Sequence, residues 1–371
     1  MIGVIDGHND LAWACREKRG YRVDGLDGTD GLDGTDGPVA GLHTDLARLR
    51  AGQVQGQFWS VWVDPVLDGA EQVTATLEQI DFVHRLVAAH PDRLELAGTA
   101  EEARRAAARG RIASLIGVEG GAQIGGSLAV LRQYARLGAR YMTLTWSRTT
   151  DWADSATDLP RHAGLTAFGR DVVAEMNRIG MLVDLAHVAP STMRDALAVA
   201  TRPVMVSHSA TAALCDHPRN VPDDVLARIG STGGVVMVAL VPSFVSQARH
   251  DWVEAGEIGE PPAVGSADVA DQMDHVREVA GIDAVGIGAD YDGTGSMPEG
   301  LEDVSHYPDL FAELSRRGWS ETDLAATAHG NVLRVLEASD PDYRAFLAGT
   351  AGQPDPHAIV PAVDTFTREQ H

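Results

Sequence analysis

The stretch VIDGHNDL, residues 4–11, ends an apolar run with a histidine and an aspartate two positions apart. Residues i and i+2 of an extended chain point the same way, so His8 and Asp10 can grip one object together. The pair equally suits a plain polar strand end, because a lone His-x-Asp has little specificity. Four further groups stand in the same kind of place. Glu119 ends ASLIGVE (113–119), His187 ends MLVDLAH (181–187), His208 ends PVMVSH (203–208) and Asp290 ends AVGIGAD (284–290). Three imidazoles and three carboxylates gathered at one rim are costly to bury without compensation, and a cation removes that cost. Histidine and carboxylate without cysteine favour zinc or another borderline divalent ion. Six such groups exceed the needs of one tetrahedral ion, so two ions sharing a carboxylate fit better. A pair of that kind polarises a carbonyl and makes hydroxide near neutral pH, which is the chemistry of amide or ester hydrolysis.

What must carry these groups is a set of strands that all end on one side. The first run reads as IGVID (2–6), and beside the four just quoted there are QFWSVWV (57–63), RYMTLTW (140–146) and GVVMVAL (234–240). Near-continuous apolar runs suit parallel strands buried on both faces. Between them lie helical patterns at 71–89, 101–108, 127–137, 166–179, 191–199, 222–229 and 266–280. Eight strands alternating with helices predict an α/β fold, a single-domain (β/α)8 TIM-type barrel over residues 1–350, like metal-dependent hydrolases. Active sites of such barrels sit at the C-terminal strand ends, where the six groups fall. Segments 308–317 and 321–337 read as closing helices, and the Pro-, Asp- and Thr-rich tail, 351–371, as a surface wrap. DGLDGTDGLDGTDG (24–37) repeats LDGTDG in tandem. Acidic glycine repeats can bind calcium, but two imperfect units without a β-roll pattern favour a flexible, solvated insertion.

Composition narrows the partners. The chain has 371 residues, 44% of them hydrophobic, and a formal net charge of −23. Nucleic acid needs a basic face and anionic lipid a basic patch, so neither is expected, and solubility accounts for the charge. Two distant cysteines, Cys15 and Cys215, make neither a disulfide framework nor a zinc ribbon. Lys18 is the one lysine, in the exposed-looking context EKRG, which leaves no place for Schiff-base chemistry. The chain enters its first strand pattern without a basic and apolar leader, and no apolar stretch approaches a membrane span, so a cytoplasmic protein is expected.

The residues also carry a resemblance. DGHNDL, HTDLARLRAGQVQGQFWSVWV, IASLIGVEGG, LVDLAHV, VSHSA, RNVPDDVL, IGADYDG and EGLEDVSHYPDL, spread from residue 2 to about 337, resemble the membrane dipeptidase (renal dipeptidase) family, peptidase family M19. The resemblance implies a (β/α)8 barrel that holds two Zn2+ per chain and hydrolyses the peptide bond of dipeptides, including dehydropeptides and those with D-configured C-terminal residues. It implies that His8 and Asp10 hold one zinc, that Glu119 bridges both, and that His187 and His208 hold the second. Asp290 would lie beside the attacking water and pass its proton to the leaving amine, making Glu119 and Asp290 the catalytic pair. Arg219, in PRNVP, would grip the substrate carboxylate through a bidentate pair. A homodimer is the default assembly of such a chain.

Two positions depart from the family pattern. A histidine expected in a T-L-T-H context, where it would contact substrate, is Trp146 here, and a tyrosine expected further on is Phe244. An indole donates one hydrogen bond and is no base. Three readings follow: a zinc dipeptidase, the same fold and metals acting on another small amide or peptide conjugate with Trp146 stacked on it, or a weakly active or non-catalytic relative. The complete set of ligand-type residues speaks against the third. Asp6, Asp184 and Asp292 are expected to orient histidines or cap turns. His43, His84, His90, His162, His217, His275 and His329 are expected on surfaces or in loops, and Trp59, Trp62 and Trp152 in the core or a pocket wall.

Overall fold

The eight apolar runs become eight parallel strands of a barrel, and a ninth, short strand joins them. The computed structural model describes residues 2–28 and 39–352. The acidic repeat from residue 29 on, and the tail from 353 on, lie outside the described residues. The strands are β1 (Val4–Asn9), β2 (Val54–Trp62), β3 (Leu94–Leu96), β4 (Ile112–Glu119), β5 (Ala139–Thr143), β6 (Leu182–Asp184), β7 (Met205–Ser209), β8 (Val235–Val238) and β9 (Val285–Ile287). They follow the order β1-β2-β4-β5-β6-β7-β8-β9, all parallel. The last gap is closed at the mouth, where Asn9 bridges Tyr291, Asp10 N donates to Tyr291 O (2.9 Å) and Asp290 N donates to His8 O (3.2 Å). The seam therefore joins the two strand ends that carry His8, Asp10 and Asp290.

β3 was not expected. It pairs with Ile112–Ser114 of β4, while β5 takes β4 higher up, from Ile116 to Val118. Three residues leave too short a pattern to read. Each expected helix forms within a few residues of its predicted bounds, except that the last, expected over 321–337, extends to Leu347 through a π turn at Ala326–Gly330. Among the described residues four further short α-helices were not expected: Leu11–Arg19, Leu46–Ala51, Pro242–Val245 and Gln247–Glu254. Among the described residues no helix is long and apolar enough to cross a membrane.

Strand alternation splits the core into two layers. Ile5, Phe58, Leu115, Tyr141, Leu182, Met205 and Met237 pack together with Val332 and Leu336 of the last helix. Their neighbours Val4, Ile116, Val118, Met142, Val206 and Val236 pack in the second layer with the surrounding helices. This is the usual filling of such a barrel, a packed interior rather than a pore. Gly117 matters to it, because a Cβ there would run into the Tyr141 ring.

One buried charge ties the last helix to the barrel. The fully buried Arg140 donates to Asp340 Oδ1 (3.2 Å), Ser339 Oγ (3.1 Å) and Gly180 O (2.9 Å), and stacks on Tyr343 at 3.9 Å. Asp340 Oδ2 also accepts the Ala100 N–H (2.8 Å). Asp340→Ala, which strands the guanidinium, should cost about 3–5 kcal/mol in urea unfolding. The double replacement Arg140→Met with Asp340→Leu should recover most of that. If the double variant unfolds as easily as the single one, the stranded charge is not the cause.

Candidate metal centre

The six ligand-type groups converge at the mouth of the barrel, and most reach it by breaking strand regularity. Glu119 is the regular case. Leu115, Gly117 and Glu119 alternate along one face of β4, with Leu115 in the inner core and Gly117 against Tyr141. His8 and His208 each fall in a register irregularity, between Asp6 and Asn9 of β1 and between Val206 and Ser209 of β7. Such irregularities re-aim side chains and are frequent beside active sites. His187 and Asp290 lie three residues past β6 and β9, both left-handed at φ 67°. That conformation costs a non-glycine residue of order 1–3 kcal/mol and persists only where the surroundings impose it. Asp10 is not extended; at φ −93° and ψ 26° it precedes the helix Leu11–Arg19. His8 and Asp10 do converge, with Nε2 and Oδ2 3.3 Å apart, but by a turn into a helix rather than by strand alternation.

His8 Nε2 is the centre of one half. It lies 3.3 Å from Asp10 Oδ2, 3.2 Å from Glu119 Oε2 and 4.0 Å from Asp290 Oδ1. It is buried and makes no hydrogen bond. In the other half His187 Nε2 lies 2.8 Å from Glu119 Oε1 and 2.9 Å from His208 Nε2, which is itself 3.6 Å from Glu119 Oε1. Glu119 thus turns one oxygen to each half. Atoms of His8, Asp10 and Asp290, and of His8, Glu119 and His208, lie close enough together to hold an ion.

The electrostatics ask for a cation. Burial, and then the neighbouring Asp10, raise the Asp290 carboxyl well above its usual pKa. Burial opposes a charge on His8, yet Tyr141, Glu119 and Asp10 outweigh it and push its pKa well up. Burial would raise Glu119 too, but the neighbouring His8 and His187 imidazoles hold it well below the carboxylate range. Burial and the charge of Arg219 lower His187 to about 3, so it is a neutral imidazole with a lone pair to offer. A cation among these groups relieves the carboxylate repulsion and gives His8 Nε2 a partner. Gly293 keeps the space open, since a Cβ there would fall against Asp10 Oδ2 and Asp290 Oδ1. The residues present therefore fit divalent metal.

A layer of supports, not anticipated except for the aspartates, sets the ring orientations. His8 Nδ1 lies 2.9 Å from the Tyr141 hydroxyl, which donates to Gly7 O (3.2 Å). In the neutral ring the Nδ1–H therefore points at Tyr141, which leaves the Nε2 lone pair toward the carboxylates. His208 Nδ1 lies 2.8 Å from Ser207 Oγ, which donates to Asp184 Oδ2 (2.5 Å), so its Nε2 is bare as well. Asp6 accepts from His8 N (3.3 Å), Gln57 Nε2 (2.8 Å) and Ala289 N (2.8 Å), locking β1 to both neighbours. Asp292 accepts the His43 N–H (2.8 Å). Tyr141 could have been found from its strand phase, two residues before Thr143 on the inner face; Ser207 carried no signal beyond adjacency to His208.

Above these groups lies a cavity of about 420 Å³. Trp13, Trp62 and Trp146 line it, and so do Arg219, His217 and Phe244. Arg219 is 4% exposed, donates to Ser209 Oγ (3.2 Å) and His208 O (3.3 Å), and lies over the Phe244 ring at 5.2 Å. Burial lowers its pKa to about 10, so it stays cationic at neutral pH. His217, expected on the surface or in a loop, lies in a loop that lines the cavity, accepts the Arg219 N–H (3.1 Å), and is kept neutral by burial, with a pKa of about 3. Trp59 and Trp152 are core residues, whereas Trp62 is pocket wall.

This arrangement has counterparts. The sequence model of the membrane dipeptidase family, peptidase family M19, matches residues 1–343. An uncharacterized dipeptidase of Schizosaccharomyces pombe is 41% identical, over 91% of this chain and 81% of its own length. Dipeptidase 3 of Rattus norvegicus is 41% identical over 90% of this chain, which spans 64% of that protein. Among solved structures, a metallopeptidase of Rhodobacter sphaeroides liganded with a phosphinate mimic of the dipeptide L-Ala-D-Ala superposes with a TM-score of 0.80 at 26% identity, covering 91% of this chain and 99% of that one. A dipeptidase described as a metallopeptidase of family M19 gives 0.79 at 28% identity, covering 91% and 98%.

The Tyr141 contact is testable without any substrate. Tyr141→Phe removes the acceptor that fixes the His8 ring and should weaken metal binding by about 10–100-fold in a chelator competition. Its circular dichroism should match that of the unaltered protein. Unchanged metal affinity would show that Tyr141 only fills space.

Proposed function

The chain belongs to the membrane dipeptidase family, peptidase family M19, and from that premise we propose that it hydrolyses dipeptides, L-D and dehydro-dipeptides among them, with two zinc ions at the barrel mouth. The observation that carries this reading is the Glu119 carboxylate, with Oε2 toward His8 and Oε1 toward His187 and His208. His8 and Asp10 would hold one ion, His187 and His208 the other, and Glu119 both. Bound there, a zinc pair supplies Lewis-acid polarisation of the peptide carbonyl and a water made acidic near neutral pH.

The chain's own groups do the rest. Arg219 pairs with the terminal carboxylate through its planar fork, and its hydrogen bonds to Ser209 and His208 hold it in place. Asp290, beside His8 and Asp10 on the cavity wall, takes the proton of the attacking water and returns it to the leaving amine. The cavity has the volume of a small-ligand site, and the ligand of the Rhodobacter sphaeroides relative is a dipeptide mimic. Trp146 favours a second reading, because it stands on the cavity wall where the family resemblance expects a histidine. On that reading the same metals act on another small amide or a peptide conjugate that stacks on the indole.

Elemental analysis after zinc reconstitution should give two ions per chain, and a screen of L-L and L-D dipeptides should give hydrolysis. One ion per chain would overturn the binuclear assignment, and two ions with no dipeptide cleaved would hand the site to the second reading. Arg219→Lys keeps the charge but loses the fork. It should lower kcat/KM at least about tenfold for dipeptides with a free C-terminus, and much less for their C-terminal amides. Equal losses on both would remove the carboxylate role.

A further inference from the structure

Three tryptophans distant in sequence form one continuous wall of the cavity. Trp13 comes from the helix after β1, Trp62 from the end of β2 and Trp146 from the loop after β5. Trp13 meets Trp62 edge-to-face at 4.3 Å and 89°, and Trp62 meets Trp146 at 4.7 Å and 62°. Trp146 in turn lies 6.0 Å from the His187 ring, so the wall runs down to the ligand cluster. All three are only half-buried, unlike Trp59 and Trp152. Apolar surface left open inside a cavity is where a ligand's own apolar surface gains most.

The barrel order places this wall opposite the carboxylate reader. β1, β2 and β5 bear the tryptophans on one arc, while Arg219 and Phe244 follow β7 and β8 on the other. Of the six ligand-type groups, Asp10, Glu119, His187 and Asp290 line the cavity between them. A dipeptide with its carboxylate on Arg219 and its peptide bond over these groups must send its N-terminal residue toward the tryptophans. The charge of that residue is also constrained. Arg16 already lies over the Trp13 ring at 4.7 Å, so a second cation there meets repulsion. An acidic side chain would face the carboxylates of Asp10 and Asp290 in the same cavity.

We propose that Trp13, Trp62 and Trp146 form the subsite for the side chain of the substrate's N-terminal residue, and that this subsite selects large aromatic side chains. The inference rests on the dipeptidase reading above and adds the substrate class to it. Selectivity comes from stacking and edge contacts with the indoles, which a methyl group cannot make.

The test uses the full chain, zinc-reconstituted, with its metal content verified. Phenylalanyl-alanine and tryptophanyl-alanine should be cleaved with kcat/KM at least tenfold above alanyl-alanine, lysyl-alanine and aspartyl-alanine. In parallel, calorimetric titration with phosphinate mimics of phenylalanyl-alanine and alanyl-alanine should give at least a tenfold ratio of Kd. Trp62→Ala and, separately, Trp146→His should each shrink both ratios to within threefold. A ratio near one in the unaltered protein, or a ratio that survives both substitutions, overturns the subsite. Equal cleavage of all five dipeptides would do so while leaving the dipeptidase reading intact. If none is cleaved with two ions bound, the dipeptidase reading fails instead, and the Kd ratio still decides what the wall selects.

Discussion

Buried like charges repel unless a cation stands among them, and here Asp10, Glu119 and Asp290 all face one unpaired imidazole nitrogen of His8. Each of these carboxylates is almost out of water, so solvent does little to screen them. Much of the barrel mouth can be understood as the scaffolding such an arrangement needs. The seam between β1 and β9 is closed by backbone hydrogen bonds of Asp10 and Asp290 themselves, so the carboxylates cannot drift apart. Tyr141 on one side, and Ser207 with Asp184 on the other, dictate which ring nitrogen faces inward.

The barrel also absorbs the cost of presenting the ligands. His187 and Asp290 sit in left-handed conformations, and His8 and His208 in register irregularities, each of which would weaken an isolated strand. They are tolerated because the strands below them are buried on both faces, between an inner layer and the surrounding helices. Regular packing lower down and irregular backbone at the mouth are one design. The first supplies the rigidity that the second spends.

The two arcs of the mouth differ in what they offer a ligand. A buried guanidinium braced by Ser209 and by the His208 carbonyl presents its charge in a fixed geometry. The tryptophan arc offers shape and apolar area instead. Trp146 therefore changes the character of the site rather than merely subtracting a histidine from it: the cavity gains a wall where the family resemblance expects a polar side chain.

The sequence by itself determined the strands and their direction, because a parallel strand buried on both faces must be an apolar run, and eight of these are plain between helical patterns. It determined Glu119 as well, since alternation from Leu115 carries that carboxylate to the inner face without interruption. It identified His8, Asp10, His187, His208 and Asp290 by type and by position at strand ends, but not the means by which they meet. Left-handed backbone at two of them and register shifts at two others are imposed by neighbouring strands, and no local pattern announces them. β3 escaped for a related reason, as three residues acquire strand character only by pairing with β4. His217 is a loop histidine, as read, but only the fold brought that loop to the cavity, where it accepts the Arg219 N–H. Trp146 stood out in the chain through the family resemblance and Trp62 as a core or pocket-wall residue, but only closure of the barrel, which brings the ends of β1, β2 and β5 onto one arc, joined them with Trp13 into a wall.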